Sequence, residues 1–291
     1  MSIKRILVPI TVADDHKQLL ALAVLVARTF NSHVQCVYPR NGGETHQDLL
    51  NSFGSVSMDR FQQILKGHSE NIAQRADQTK SDINQLIRDN GLLLEDTPVL
   101  SDRPSASWQE ISESITDFVG FYGGVMDLIV VGRPQTTSED PAKTVVGAAL
   151  FASGRPVLVA PSGVPKSLDH KVLIGWNCSI QAGRAVASAL PFLRHAKSVE
   201  ILSIMTGAKR GPSALDLAEY LAWHGIKPDV KEVAPEEHRS VGEILLTEAN
   251  RSGADVLVMG AYSHSRLREM LWGGVTRQIL SNAQLPVLMV H

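Results

Sequence analysis

Asp127-Leu128-Ile129-Val130-Val131-Gly132 and Asp255-Val256-Leu257-Val258-Met259-Gly260 are two versions of one phrase, 128 positions apart. Each is an acid, four apolar residues and a glycine. A short unbroken apolar run of this kind reads as a strand buried on both faces, as in a parallel sheet. Two further pairs extend the match. Arg5-Ile6-Leu7-Val8-Pro9-Ile10-Thr11 aligns with Lys171-Val172-Leu173-Ile174-Gly175-Trp176-Asn177, 166 positions on. Pro156-Val157-Leu158-Val159 aligns with Pro286-Val287-Leu288-Met289, 130 positions on. Order is kept while the spacing changes once, so the chain is a tandem duplication. Its first copy carries about 38 extra residues (166 − 128) between its first and fourth strands.

Between the strands the apolar period changes to that of helices. Leu19, Leu22, Ala23, Val26 and Ala27 recur at helical spacing after the first strand, as do Ala185, Val186, Ala189, Leu190 and Leu193 in the second copy. Second strands are expected at His33–Tyr38 and Val199–Met205, and third strands near Leu92–Val99 and Lys227–Val233. A later helix is written by Ile111, Ile115, Phe118, Val119 and Tyr122, and by Val241, Ile244, Leu245 and Ala249. This alternation predicts an α/β fold of two tandem Rossmann-like domains, each a five-stranded parallel sheet with helices on both faces and right-handed crossovers. The expected domains are 1–162 and 168–291, separated by the Pro161-Ser162-Gly163-Val164-Pro165-Lys166-Ser167 linker. The extra residues fall around Gly42–Lys80, where Phe61, Ile64, Leu65, His68 and Ile72 predict a helical insertion that is either a lid or additional packing.

The 291 residues are long enough for two such cores, and 44% hydrophobic with 20% charged residues is the composition of a globular protein. Lys and Arg number 28 against 30 Asp and Glu, a net charge of −2 that argues against a general nucleic-acid or membrane surface. No apolar run is long enough to span a bilayer. Met1-Ser2-Ile3-Lys4-Arg5 leads straight into a strand rather than a signal peptide, so a cytoplasmic protein is expected. Cys36 and Cys178 stand alone, as expected of buried small hydrophobes in a reducing compartment. His33, His170, His195 and His224 lack metal-ligand spacing, and no nucleophile–base set can be assembled, so no catalytic residue is assigned.

Ligands of open parallel sheets bind beyond the carboxyl ends of the strands. The informative segment there is Gly260-Ala261-Tyr262-Ser263-His264-Ser265-Arg266-Leu267-Arg268-Glu269-Met270-Leu271-Trp272-Gly273-Gly274-Val275-Thr276-Arg277. Its glycines would let backbone approach phosphate oxygens, and the amides of the following helix start would donate to them. Thr276 would add a hydroxyl donor or cap the helix. His264, Arg266 and Arg268 read either as phosphate contacts or as a solvated loop edge, and Arg277 as a surface charge. Trp176 reads either as a base-stacking ring or as core packing.

With Leu285-Pro286-Val287-Leu288-Met289-Val290 closing the chain, this segment resembles the universal stress protein family, and the chain as a whole resembles a tandem two-domain member. The family's nucleotide-binding members carry Gly, two residues, Gly, nine residues, Gly, then Ser or Thr. Here Gly260 and Gly273 keep that spacing, Ser263 replaces the middle glycine and Gly274 the hydroxyl residue. The family's aspartate at the end of the first strand corresponds to Asn177 in the second copy and Thr11 in the first, and its backbone contact to adenine maps near Ile204. In the first copy Gly132-Arg133-Pro134 begins the equivalent loop without the later glycines, and Lys143-Thr144-Val145-Val146-Gly147 matches the turn only loosely.

The resemblance implies an adenine nucleotide, ATP or a relative, held in the second domain by Asn177, Ile204, Gly260, Ser263, His264, Arg266, Gly273, Gly274, Val275 and Thr276, with magnesium only as its companion. It implies a role in stress response through ligand-gated conformational change or partner binding, and a first-copy site that is lost or altered. The final strands Val157-Leu158-Val159-Ala160 and Val287-Leu288-Met289-Val290 are apolar edges, a liability unless paired, and the resemblance implies that they pair with each other as an intramolecular pseudo-dimer; a further homodimer is left open. The alternatives are a nucleotide-free scaffold of the same fold and a weak nucleotide hydrolase.

Overall fold

The computed structural model describes residues 2–11, 16–40, 58–96, 103–134, 140–165, 167–205, 207, 211–262 and 274–291. The first half runs β1 (Arg5–Pro9), α1 (His16–Phe30), β2 (His33–Pro39), α2 (Met58–Asp89), β3 (Leu93–Leu94), β4 (Ser105–Ile111), α3 (Ile115–Tyr122), a 3-10 turn (Gly123–Val125), β5 (Leu128–Val131), α4 (Pro141–Phe151) and β6 (Val157–Val159). The second runs β7 (Lys171–Trp176), α5 (Ile180–His195), β8 (Ser198–Ile204), α6 (Ala214–Trp223), β9 (Asp229–Val233), α7 (Val241–Ser252), β10 (Val256–Gly260), α8 (Gly274–Asn282) and β11 (Val287–Val290).

The eleven strands of the described residues join one sheet in the order β3-β4-β2-β1-β5-β6-β11-β10-β7-β8-β9. Neighbours are parallel within each half. The halves meet where β6 and β11 pair antiparallel, with Val157, Leu158 and Val159 opposite Met289, Leu288 and Val287. Alternate residues of each strand serve opposite faces. Leu128 and Val130 join one core with Ile6, Val8 and α1, while Ile129 and Val131 join the other with Leu7 and α4. Val256 and Val258 pack toward α5, and Leu257 and Met259 share the core of α7 and α8. This two-sided burial is why the runs show no polar alternation. Among the described residues no helix is long and apolar enough to cross a membrane.

The acids that opened the repeat have matching structural work. Asp127 Oδ2 accepts the backbone N–H groups of Lys4 (2.8 Å) and Arg5 (3.0 Å). Asp255 Oδ2 accepts those of His170 (2.7 Å) and Lys171 (3.2 Å). Each acid clamps the entry to the first strand of its own half, beside the strand it leads.

Three sequence expectations need correction in the first half. The strand paired with β2 is Ser105–Ile111, not the Leu92–Val99 region, whose described residues contribute the two-residue outer strand β3. Among the described residues the first half therefore has six strands rather than five. Ser105, Ser107 and Gln109 give this segment no continuous apolar run, and they face polar partners: His33 Nδ1 and Nε2 lie 2.9 Å from Ser105 Oγ and 2.9 Å from Ser107 Oγ. Burial, and after it the Arg5 charge, holds the His33 pKa below its ordinary value. Ile111, expected in a helix, ends β4, and α3 starts only at Ile115 behind its Ser114 cap. Of the expected insertion, residues 42–57 lie outside the described residues; from Met58 on it is helical and runs to Asp89, and Ala76, Ile83 and Ile87 are buried in the core that includes α1.

Candidate functional site

In the second half the chain passes from β7 outward to β8 and β9, then returns to lay β10 and β11 on the other side of β7. The reversal lies between β7 and β10, the switch point where open α/β sheets leave a crevice at their carboxyl edge. Ile174 pairs with Val258 and Gly175 with Met259, so Asn177 and Gly260 leave the sheet side by side at that edge.

Asn177 is half-buried, and its Oδ1 accepts from both Ser179 N (3.2 Å) and Ser179 Oγ (2.6 Å). Ser179 Oγ in turn accepts from Ala182 N at 3.1 Å as the N-cap of α5. The carbonyl end of Asn177 thus builds the helix start, and its amide NH₂ donates to no described residue. Cys178, between them, holds φ 61 and is half-exposed, unlike the fully buried Cys36. Trp176 is core packing: it is buried, and its Nε1–H donates to Pro212 O at 3.0 Å. Ile204 ends β8 with its side chain in the core, leaving main chain as what it presents at the edge.

Gly260 is required for a reason the sequence did not disclose. A Cβ there would lie 2.5 Å from Ala182 N and 2.7 Å from Gln181 C, so its bare backbone lets β10 press against the first turn of α5. Gly274 is the opposite case: it is exposed, and a Cβ would meet nothing within 4 Å. Val275 packs against the core. Thr276 is buried, and its Oγ1 accepts from Tyr262 N at 3.4 Å. Its hydroxyl ties the two ends of the loop together. Ser263, His264, Arg266 and Gly273 lie outside the described residues.

Tyr262 carries no signal in the sequence that would single it out. It holds φ 55, and burial pushes its phenol up to about 12. A groove between α7 and α8 contains none of these residues; its Arg239 is held by Glu236 at 2.9 Å.

The profile of the universal stress protein family matches residues 170–291. This half belongs to the universal stress protein family. Solved structures extend the likeness in fold across the chain. A universal stress protein from Archaeoglobus fulgidus DSM 4304 superposes with a TM-score of 0.70 at 14% identity, covering 98% of this chain and 96% of its own. A protein of unknown function from Pseudomonas aeruginosa PAO1 superposes with a TM-score of 0.55 at 16% identity, covering 99% of this chain and 92% of its own. No curated protein matches the chain significantly.

Against the universal stress protein domain, the first half's edge is built differently. Its counterpart of α8 is α4, whose start is capped by the Asp140 carboxylate accepting from Ala142 N at 3.0 Å, with Pro141 at the first position. A carboxylate already occupies the pole where a phosphate would be attracted, and Pro141 has no N–H to offer. In α8 the first turn of Gly274, Val275 and Thr276 carries no acid. Arg133, in the loop after β5, reaches the other half instead, where its Nη1 donates to Ala283 O at 3.2 Å.

Proposed function

We propose that the second half binds an adenine nucleotide, ATP or a relative, and that binding gates a conformational or partner-binding response in stress physiology. The observation that carries this reading is the placement of Asn177 just beyond β7 and Gly260 at the end of β10, the two strands that flank the switch point. The acid-free start of α8 stands in the same half. The Asn177 amide would meet the base or ribose, with Ile204 offering main chain. Amides at Gly274 and Val275 would meet phosphate oxygens, favoured by the positive end of the α8 dipole. Ser263, His264, Arg266, Gly273 and Thr276 complete the proposed set, and magnesium would accompany the nucleotide.

In this reading the first half, with Asp140 and Pro141 at the equivalent place, does not bind a phosphate there. It pairs with the second as an intramolecular pseudo-dimer, and the units are 1–162 and 168–291. Calorimetry of the full chain with ATP, AMP and cyclic AMP tests the proposal. Saturable heat that Asn177→Ala weakens supports it, and no heat with any of the three at millimolar concentration overturns it in favour of a nucleotide-free scaffold.

A further inference from the structure

Each of two helices begins at the carboxyl edge of its own half and ends against the other half. Helix α4 starts at the first half's edge behind Asp140 and ends at Phe151. The Phe151 ring lies 5.0 Å from that of Tyr262 and 4.7 Å from that of His291. Helix α8 starts at the second half's loop with Gly274, and just beyond its end Ala283 O is held by Arg133 of the first half.

Tyr262 is where the second half's loop leaves the sheet, and it sits in the left-handed region that non-glycine residues use sparingly. Such a conformation persists where surrounding contacts over-determine it. Among the described contacts are the Phe151 ring, the bond from Tyr262 N to Thr276 Oγ1 at 3.4 Å, and the backing of His291, whose Nδ1–H donates to Ala261 O at 3.2 Å. Of these, only Phe151 comes from the first half.

We infer that Phe151 is a positioning residue for the second half's nucleotide site: its ring fixes Tyr262, and through the Tyr262–Thr276 bond it fixes both ends of the loop. The two halves are then coupled, because a shift of α4 alters the geometry in which the second half receives its ligand. This rests on the nucleotide-binding reading for its functional consequence, but not for its structural part.

The experiment compares wild type, Phe151→Ala and Phe151→Tyr as full chains, by amide hydrogen exchange without ligand and by calorimetry with ATP. Phe151 is 41% exposed, so the alanine variant is expected to fold. In it, exchange should rise at Tyr262 and over 274–276 while β8 and β9 keep wild-type protection. ATP affinity should fall about two- to tenfold, the range that an aromatic pair is worth. Phe151→Tyr should restore both. Unchanged exchange at Tyr262, a rise spread over the whole chain, or a loss of affinity that the tyrosine does not rescue would each overturn the inference. If wild type binds no ATP, the functional proposal fails by itself, and the exchange comparison still decides whether Phe151 positions the loop ends.

Discussion

Leu158 lies opposite Leu288, and the two are equivalent positions of the duplication, 130 residues apart. The flanking pairs, Val157 with Met289 and Val159 with Val287, exchange under the same offset. The register is therefore self-complementary, as an isologous contact between identical subunits would be. Both leucines are fully buried. Leu158→Ala and Leu288→Ala are each expected to cost about 2–5 kcal/mol by creating a cavity. Because the two touch, the double variant should cost less than the sum. Urea denaturation of the three variants checks both statements.

The Asp127 and Asp255 clamps predict parallel behaviour in the two halves. Replacing either with alanine leaves two strand-entry amides without their carboxylate, at an expected cost of about 1–3 kcal/mol. Asparagine keeps an oxygen acceptor and should cost less. Thermal denaturation of the four variants would expose a failure of this symmetry.

Gly260 and Gly274, both read from sequence as phosphate-approach glycines, should separate sharply. Gly260→Ala places a Cβ 2.5 Å from Ala182 N, where backbone must move, and should destabilise the fold with or without ligand. Gly274→Ala has open space and should leave stability nearly unchanged. Gly274→Asp should hold or raise stability by about 0.3–1 kcal/mol through the helix dipole while repelling nucleotide phosphate. Melting temperature and ATP titration, read together, distinguish the three.

At alkaline pH, part of the change in stability follows from two buried groups. Burial pushes Cys36 from 9.0 up to about 12 and Tyr262 from 10.0 up to about 12. In both the folded pKa exceeds the unfolded one, so their contribution to stability is complete below about pH 9 and is lost as pH rises toward about 12. Tyr262→Phe should remove the part lost above about pH 10. With a thiol reagent at neutral pH, half-exposed Cys178 should react, and Cys36 only on unfolding.

What was legible in the sequence was what burial had written. The Asp-led strands and the terminal Val-Leu pairs are apolar on both faces, so they survive as continuous runs in both copies. Strand β4 was missed because its Ser105, Ser107 and Gln109 satisfy a polar strip on β2 rather than a core, and a strip of that kind carries no hydrophobic period. At the edge, residue type announced chemistry but not which neighbour would claim it. Asn177 Oδ1 is claimed by Ser179, Gly260 by the approach of α5, and Thr276 by Tyr262. Phe151 was invisible as a site residue because its partner lies 111 positions away in the other copy (262 − 151).

The antiparallel junction also bears on how such a protein can change over generations. In a dimer of identical chains every substitution appears twice, so neither site can be altered without altering the other. Here the same self-complementary register joins two stretches of one chain, and a mutation strikes one side only. Dilution cannot part the halves either, since the linker keeps each at a high effective concentration for the other. The Asp140-Pro141 start of α4 and the Gly274-Val275 start of α8 are differences that this freedom permits: one helix start carries a carboxylate cap and the other no acid, while both halves keep their places in the sheet.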